Sequence, residues 1–339
     1  MTDEKDEFTR YREQAQARTV QDTLASFLDK VLEITQANRA DVNPSHGFWQ
    51  YRPSADFPPR AIRFVQEYQG ADRLQLACTQ TDLKPAAQKK LVQDWCQVLP
   101  ALDKVEYLWL TTRVPQELFD AAVRLKNLKG LYIKWSGIKN IESIAQAQKL
   151  RYLHIGSSPS LEPLSALAQL PHLEWLELEN VRVCRDLSFV TTLAPLKGLA
   201  ITGDLNSSKY LDVQTLTPLV AQRQLYWLRL SAVRAEDGDL LPLAKLRALK
   251  YLFLSNRYEL DAFARLAGAR PDLECDLLAP ASEPTAMFAC KKCGAKQMVM
   301  LTGKGEPWAC LDCDARRIQR NAERFNEIAA SYRFWSDKR

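Results

Sequence analysis

The chain is predicted to fold as an α/β solenoid, with an α-helical region ahead of it and a small cysteine-bearing module behind it. Three observations lead there. One short apolar pattern recurs eight times between residues 102 and 278. Residues 1–100 carry helical apolar spacing without that pattern. Residues 286–339 hold two C-x-x-C pairs and a basic, amphipathic tail.

The copies read LDKVEYLWL (102–110), LKNLKGLYI (125–133), AQKLRYLHI (147–155), LPHLEWLEL (170–178), LAPLKGLAI (193–201), QRQLYWLRL (222–230), LRALKYLFL (246–254) and RPDLECDLL (270–278). Each ends in apolar-x-x-apolar-x-apolar. The middle apolar residues are Leu108, Leu131, Leu153, Leu176, Leu199, Leu228, Leu252 and Cys275, at separations of 23, 22, 23, 23, 29, 24 and 23. One such unit cannot bury its own apolar face, so neighbours must stack into a common core. The residues between strands return outside the sheet. In the second copy Ile138, Ile141 and Ile144 fall three apart, which predicts a helical or 3₁₀ return. The longest interval contains residues 202–216, expected to be a loop.

This signature resembles the leucine-rich repeat family, in an irregular form with repeats of mostly 22–24 residues. The resemblance implies a parallel-sheet solenoid that binds other macromolecules. The chain departs from the family at the position three after the last strand leucine, usually Asn or Cys. Here it holds Arg113, Ser136, Ser158, Val181, Asp204, Val233 and Arg257, so a full asparagine ladder is absent.

Alternation along a strand fixes which side chains leave the core. The residues before the middle leucine are Tyr107, Gly130, Tyr152, Trp175, Gly198, Trp227 and Tyr251. Those after it are Trp109, Tyr132, His154, Glu177, Ala200, Arg229 and Phe253. Eight of these fourteen are Phe, Tyr or Trp, and His154 adds a ninth ring. Large exposed apolar patches mark interaction sites, and Trp, Tyr and Arg are interface hot-spot residues. The expected contact set is Tyr107, Trp109, Tyr132, Tyr152, His154, Trp175, Glu177, Trp227, Arg229, Tyr251 and Phe253. Two plainer readings stand beside it: aromatic residues suit strands, or part of the chain covers the face.

In residues 1–100, Val20, Leu24, Phe27, Leu28, Val31 and Leu32 predict a helix within 6–38, ended by Asn43-Pro44. The stretch 45–60 should be an ordered loop packing Phe48, Trp49 and Tyr51. A strand is expected over 71–77. A helix begins at Pro85 and buries Leu91, Val92, Trp95 and Leu99. The region is expected to cap the solenoid, which occupies 101–279, because terminal repeats need covering. An independent helical domain is the alternative.

The third region, 286–339, contains Cys290-x₂-Cys293 and Cys310-x₂-Cys313. Each pair aims two thiolates at one point, and two pairs make a four-sulfur tetrahedral site for one structural zinc ion; iron fits the same geometry. Four thiolates leave no open coordination position for catalysis. The segment resembles a zinc ribbon, with strands expected over 297–301 and 307–309 around Gly303-Lys304-Gly305. A helix from Asp314 should carry the stripe Ile318, Ala322, Phe325, Ala329, Tyr332 and Trp335.

The net charge of +5 is carried entirely by residues 286–339, where eleven Lys and Arg meet six Asp and Glu. Nucleic acid is therefore a second expected partner class, through Lys291, Lys292, Lys296, Lys304, Arg316, Arg317, Arg320 and Arg324. No phosphate loop, H-E-x-x-H or G-x-S-x-G occurs. No apolar run approaches the ~20 residues that span a bilayer. The charged start, MTDEKDEF, lacks a signal region, so the expected location is cytoplasmic. Together these features predict a non-catalytic protein-binding scaffold, with an effector that selects targets through its repeats as a lesser alternative.

Overall fold

The computed structural model describes residues 47–50, 54, 56–204, 210–305 and 307–333. The helix expected within 6–38, together with Tyr51, lies outside the described residues. The chain divides into two units, 1–58 and 59–339. In the first, the rings of Phe48, Trp49 and Phe57 form a cluster: Phe48 meets Trp49 edge-on at 5.0 Å, and Trp49 stacks on Phe57 at 6.2 Å.

The second unit is built on nine parallel strands paired in chain order. They are β1 (Ala61–Ile62), β2 (Arg73–Leu76), β3 (Tyr107–Leu110), β4 (Gly130–Ile133), β5 (Tyr152–Ile155), β6 (Trp175–Glu179), β7 (Gly198–Thr202), β9 (Trp227–Leu230) and β11 (Tyr251–Leu254). Leu74, Leu108, Leu131, Leu153, Leu176, Leu199, Leu228 and Leu252 are mutual partners across the sheet. All eight are buried, as are Leu76, Leu110, Ile133, Ile155, Leu178, Ile201 and Leu230 two residues on. The spacing of two sends both leucines of each strand to one side, and stacking makes them one core.

The returns are short. After β4 the chain makes a 3₁₀ turn over Glu142–Gln146, with Ile138, Ile141 and Ile144 buried as expected. Similar turns at Leu164–Gln169, Ser188–Thr192, Thr217–Ala221 and Leu241–Lys245 each bury one apolar residue completely: Leu167, Val190, Leu219 and Leu243. A tight i→i+3 turn suffices for one anchor per repeat. The return after β3 is α-helical, α2 (Gln116–Ala122). Before it, α1 (Pro85–Val98) begins on proline as expected. Its Trp95 is buried and donates Nε1–H to the Arg63 carbonyl at 2.7 Å.

Two expectations are corrected. Residues 202–216 are not all loop: Leu211–Val213 forms β8, parallel to β10 (Val233–Ala235) in a separate two-stranded sheet. The eighth copy is not a strand. It makes a single bridge, Tyr251 to Glu274, then a 3₁₀ turn over Asp276–Leu278. Its middle position holds Cys275, and Arg270, at the copy's first position, takes a different task. Its buried guanidinium donates to the Leu246 and Leu249 carbonyls at 2.6 and 2.7 Å, and pairs with Asp272. This side chain satisfies backbone that a further repeat would otherwise have met.

Hydroxyls replace part of the asparagine ladder. Ser136 and Ser158 are buried, their Oγ atoms 2.6 Å apart, and Ser136 accepts from the Ile138 N–H. Further along, Gln222 bridges Leu196 N–H and the Val190 carbonyl.

Beyond the sheet come α3 (Leu260–Ala269), the antiparallel hairpin of β12 (Met298–Met300) and β13 (Trp308–Cys310), and α4 (Ala315–Tyr332). The apolar stripe of α4 is shared between two partners. Ile318 packs against Val299, Leu301 and Ala309 of the hairpin, whereas Phe325 and Ala329 join the solenoid core. The helices meet closely at Gly268, where an added Cβ would lie 2.1 Å from the Ala329 carbonyl oxygen. No helix among the described residues is long and apolar enough to cross a membrane.

Candidate functional site

Two sites predicted from sequence take shape. In the first, the hairpin brings Cys290, Cys293, Cys310 and Cys313 together, with all four Sγ atoms within 4.8 Å of one another. Each C-x-x-C bends because a backbone N–H folds back. Gly294 N–H bonds the Cys290 carbonyl at 2.9 Å with φ of +75°, a conformation glycine adopts without strain. Asp314 N–H bonds the Cys310 carbonyl in the same way.

The sulfurs of Cys290 and Cys313 are 3.9 Å apart, and those of Cys293 and Cys310 are 3.7 Å apart. A tetrahedron with Zn–S bonds of about 2.3 Å has edges of about 3.8 Å. The four thiols therefore fit one tetrahedral metal ion. Backbone N–H groups of Cys293 and Lys292 pull the Cys290 thiol down to about 7. Its hydrogen bond with Cys293, then burial, push Cys313 up to about 12. Four thiolates this close repel one another unless a cation sits among them.

Sequence reasoning missed Asp314. Its carboxylate accepts from Cys310 N–H at 3.0 Å and from Lys292 Nζ at 2.9 Å. One side chain thus joins the two cysteine turns, holding thiol-bearing loops as outer-shell partners do. The signal was an acidic residue directly after the second pair.

The second site is the face of the sheet opposite the leucines. The two rows run in register: Tyr107, Gly130, Tyr152, Trp175, Gly198, Trp227 and Tyr251 in one, and Trp109, Tyr132, His154, Glu177, Ala200, Arg229 and Phe253 in the other. The glycines have a purpose that the pattern alone did not give. Tyr107 and Tyr152 flank Gly130 and stack across it at 6.4 Å; Trp175 and Trp227 flank Gly198 and meet at 5.0 Å. At Gly198 an added Cβ would lie 2.3 Å from the Trp175 ring. Trp227 continues to Phe253 at 5.6 Å.

The rows differ in exposure. Trp109, Trp175, Trp227 and Tyr251 are buried, whereas Tyr107, Tyr132, Tyr152, His154, Glu177, Arg229 and Phe253 are half-buried. Between the rings sits a polar centre. His154 stacks on Tyr132 at 4.2 Å, its Nδ1 lies 3.1 Å from the Ile133 carbonyl, and its Nε2 lies 3.8 Å from a Glu177 carboxylate oxygen. Glu177 accepts the Trp175 Nε1–H at 2.7 Å. Burial pushes His154 down to about 4 and Glu177 up to about 7, so both are held neutral at the acid side of pH 7.

The other four cysteines are buried or half-buried. Burial pushes Cys78 and Cys184 up to about 12, and Cys96 and Cys275 up to about 11. Such thiols are poor nucleophiles.

Fold and site together define a parallel-sheet solenoid, built from short repeats whose leucines stack into one core, followed by a four-cysteine module. No protein-family model matches the chain, and no curated protein does. Among solved structures, it is similar to internalin C2 of Listeria monocytogenes, at 23% identity over 54% of this chain and 79% of that one, with a TM-score of 0.42. A leucine-rich-repeat protein of Leptospira interrogans is 17% identical over 64% of this chain and 69% of its own, TM-score 0.41. A plant peptide hormone receptor, RGFR1, solved in complex with RGF2, is 16% identical over 64% of this chain and 37% of its own, TM-score 0.40. Likenesses this distant transfer no function.

Proposed function

We propose that this chain is a non-catalytic scaffold that binds another protein on the ring-bearing face of its solenoid. What supports the reading is the unbroken register of the two rows, which lines up rings from six of seven successive repeats on one surface. Tyr132, Tyr152, His154, Arg229 and Phe253 would make the direct contacts, and the buried tryptophans would hold them in place. Rigid aromatic side chains lose little entropy on binding, and Arg229 and Glu177 would orient the partner. Of the expected cap, residues 59–100, which hold β1, β2 and α1, would close the end of the core opposite the hairpin. The four cysteines would hold one structural zinc ion, whose chemistry is to tie the two turns together. The eight free cysteines suit the reducing cytosol.

A photo-crosslinking amino acid placed at Tyr132 in cells should trap one protein, and the same group at exposed Lys126 should not. Equal trapping at both positions, or trapping at neither, refutes the reading. A second reading is nucleic-acid association by the hairpin module. It draws on Trp308, which is 40% exposed, with Phe288 edge-on at 4.5 Å, within the basic region. Its mark would be affinity that falls steeply with salt.

A further inference from the structure

On the return side of the solenoid, the 3₁₀ turns of two neighbouring repeats, Thr217–Ala221 and Leu241–Lys245, border an open groove of about 330 Å³ together with Ala269 at the end of α3. Its apolar lining includes Val220, Leu241 and Pro242. The turns of five repeats align on their buried anchors, Ile144, Leu167, Val190, Leu219 and Leu243. Two residues before the anchor stand Glu142, Ser165, Ser188 and Thr217, all polar and exposed; the last turn has Leu241 there. One residue after the anchor stand Ala145, Ala168, Thr191 and Ala244; the turn at 217–221 has Val220. Leu241 and Val220 are half-buried, and neither packs into the leucine core. Larger apolar side chains thus replace polar or small ones at two places, and both line the same groove.

The groove also carries charge. Lys245 and Arg247 line it and are exposed, beside Asp239, whose carboxylate accepts the Leu241 N–H at 3.0 Å. The ion pairs of this stretch join Arg234 to Asp212, Lys250 to Glu274 and Arg270 to Asp272, and none includes Lys245 or Arg247. Arg247 acts on Asp272 from further off, but that carboxylate is held by Arg270 at 2.7 Å. Two positive charges against one negative leave the groove with a surplus of one.

We infer that this groove binds the carboxyl terminus of a partner protein that ends in an aliphatic residue. The aliphatic side chain covers Val220, Leu241 and Pro242, which removes their apolar surface from water. The terminal carboxylate is a monoanion and matches the surplus charge. The Arg247 guanidinium offers it paired N–H donors, and Lys245 a second cation. Size and shape select a chain end over a free fatty acid. The volume is near the lower end of ligand-sized pockets, ~300–1,000 Å³, which suits a terminal residue better than a long acyl chain. The groove is open, so the preceding backbone can leave it. It lies across the leucine core from the ring-bearing face and does not depend on that reading.

Ligand-observed NMR titration of the full chain with the tripeptide N-acetyl-Gly-Ser-Leu tests the assignment. Saturable binding is expected for the free acid and not for its C-terminal amide. Leu241→Ser, which gives this turn the residue type of the others, and Arg247→Gln should each weaken binding by about fivefold or more. Their unfolding midpoints should stay close to that of the native chain, because neither side chain belongs to the core. Lys126→Gln, at an exposed residue outside the groove, should leave binding unchanged. Absence of saturable binding overturns the proposal, as does equal binding of the amide or equal weakening by Lys126→Gln. Octanoate binding more tightly than the tripeptide would replace the partner's terminus with a fatty acid.

Discussion

Gly198 tests whether the ring ladder is a packed device or a row of strand-favouring side chains. In Gly198→Ala the new methyl would lie 2.3 Å from the Trp175 ring, against an ordinary carbon contact of ~3.7 Å. The ring must retreat by about 1.4 Å to restore that contact. It cannot do so freely, because Trp227 stands 5.0 Å away and Nε1–H is bonded to Glu177. Overpacking of this kind costs about 1–3 kcal/mol, and weakening the hydrogen bond adds about 1. Replacing a strand glycine returns about 0.5–1. The net loss should be near 2 kcal/mol, set by about 1 either way. In a Trp175→Ala background the collision is gone, so the same substitution should stabilise by about 0.5–1 kcal/mol. The coupling between the two sites is then about 2–3 kcal/mol, which four urea denaturation curves can resolve. Additivity of the two substitutions within about 0.5 kcal/mol would refute the packing account.

The polar centre should show compensating pH dependence. His154 is lowered from 6.5 to about 4, so its contribution is complete above 6.5 and is lost as pH falls towards 4. Glu177 is raised from 4.5 to about 7, so its contribution is complete below 4.5 and is lost as pH rises to 7. Between 4.5 and 6.5 the two slopes oppose, and Glu177→Gln should expose the His154 slope alone: stability rising with pH by up to ~1.4 kcal/mol per unit. A Glu177→Gln chain with the native pH profile of denaturation midpoints would count against both shifts. Metal analysis should find one zinc ion per chain, lost in Cys313→Ser; chelation should then speed proteolysis within 290–313 while the far-UV signal of the solenoid persists. Protease resistance that survives chelation would remove the structural role. Arg270→Met leaves the Leu246 and Leu249 carbonyls without their donor and should destabilise by about 2–4 kcal/mol in denaturant unfolding. A loss under about 1 kcal/mol would mean water replaces the guanidinium.

The strand register was legible because leucines two apart, repeated every 22–24 residues, admit one stacking. The identity of the two outward rows followed from that register. Its interruptions did not: Gly130 and Gly198 look like weak strand residues until rings from neighbouring strands are seen leaning over them. Exposure was also hidden. Alternation assigns a side, but Trp109 and Trp227 end at 2% exposed and Tyr132 half-buried on that same side. The cysteine site was read from spacing alone, because two C-x-x-C turns converge whatever the intervening chain does; Asp314, which joins them, depends on how the turns face each other. The strand β8 was too short to carry a period. The packing of α4 on α3 is a tertiary fact with no local signature.

The last strand, β11, would ordinarily present a free edge of backbone donors and acceptors to any passing strand. In this chain the edge ends at a single bridge to Glu274, and Leu252 N–H is already taken by the Glu274 carbonyl at 3.0 Å. Arg270 occupies the neighbouring carbonyls, and α3, the hairpin and α4 lie beyond. A repeating sheet is by nature a template for its own extension, within one molecule or between molecules. Here elongation is stopped by three unlike elements, so loss of the cysteine module should unmask an adhesive end and turn a discrete protein into one that polymerises along its sheet axis.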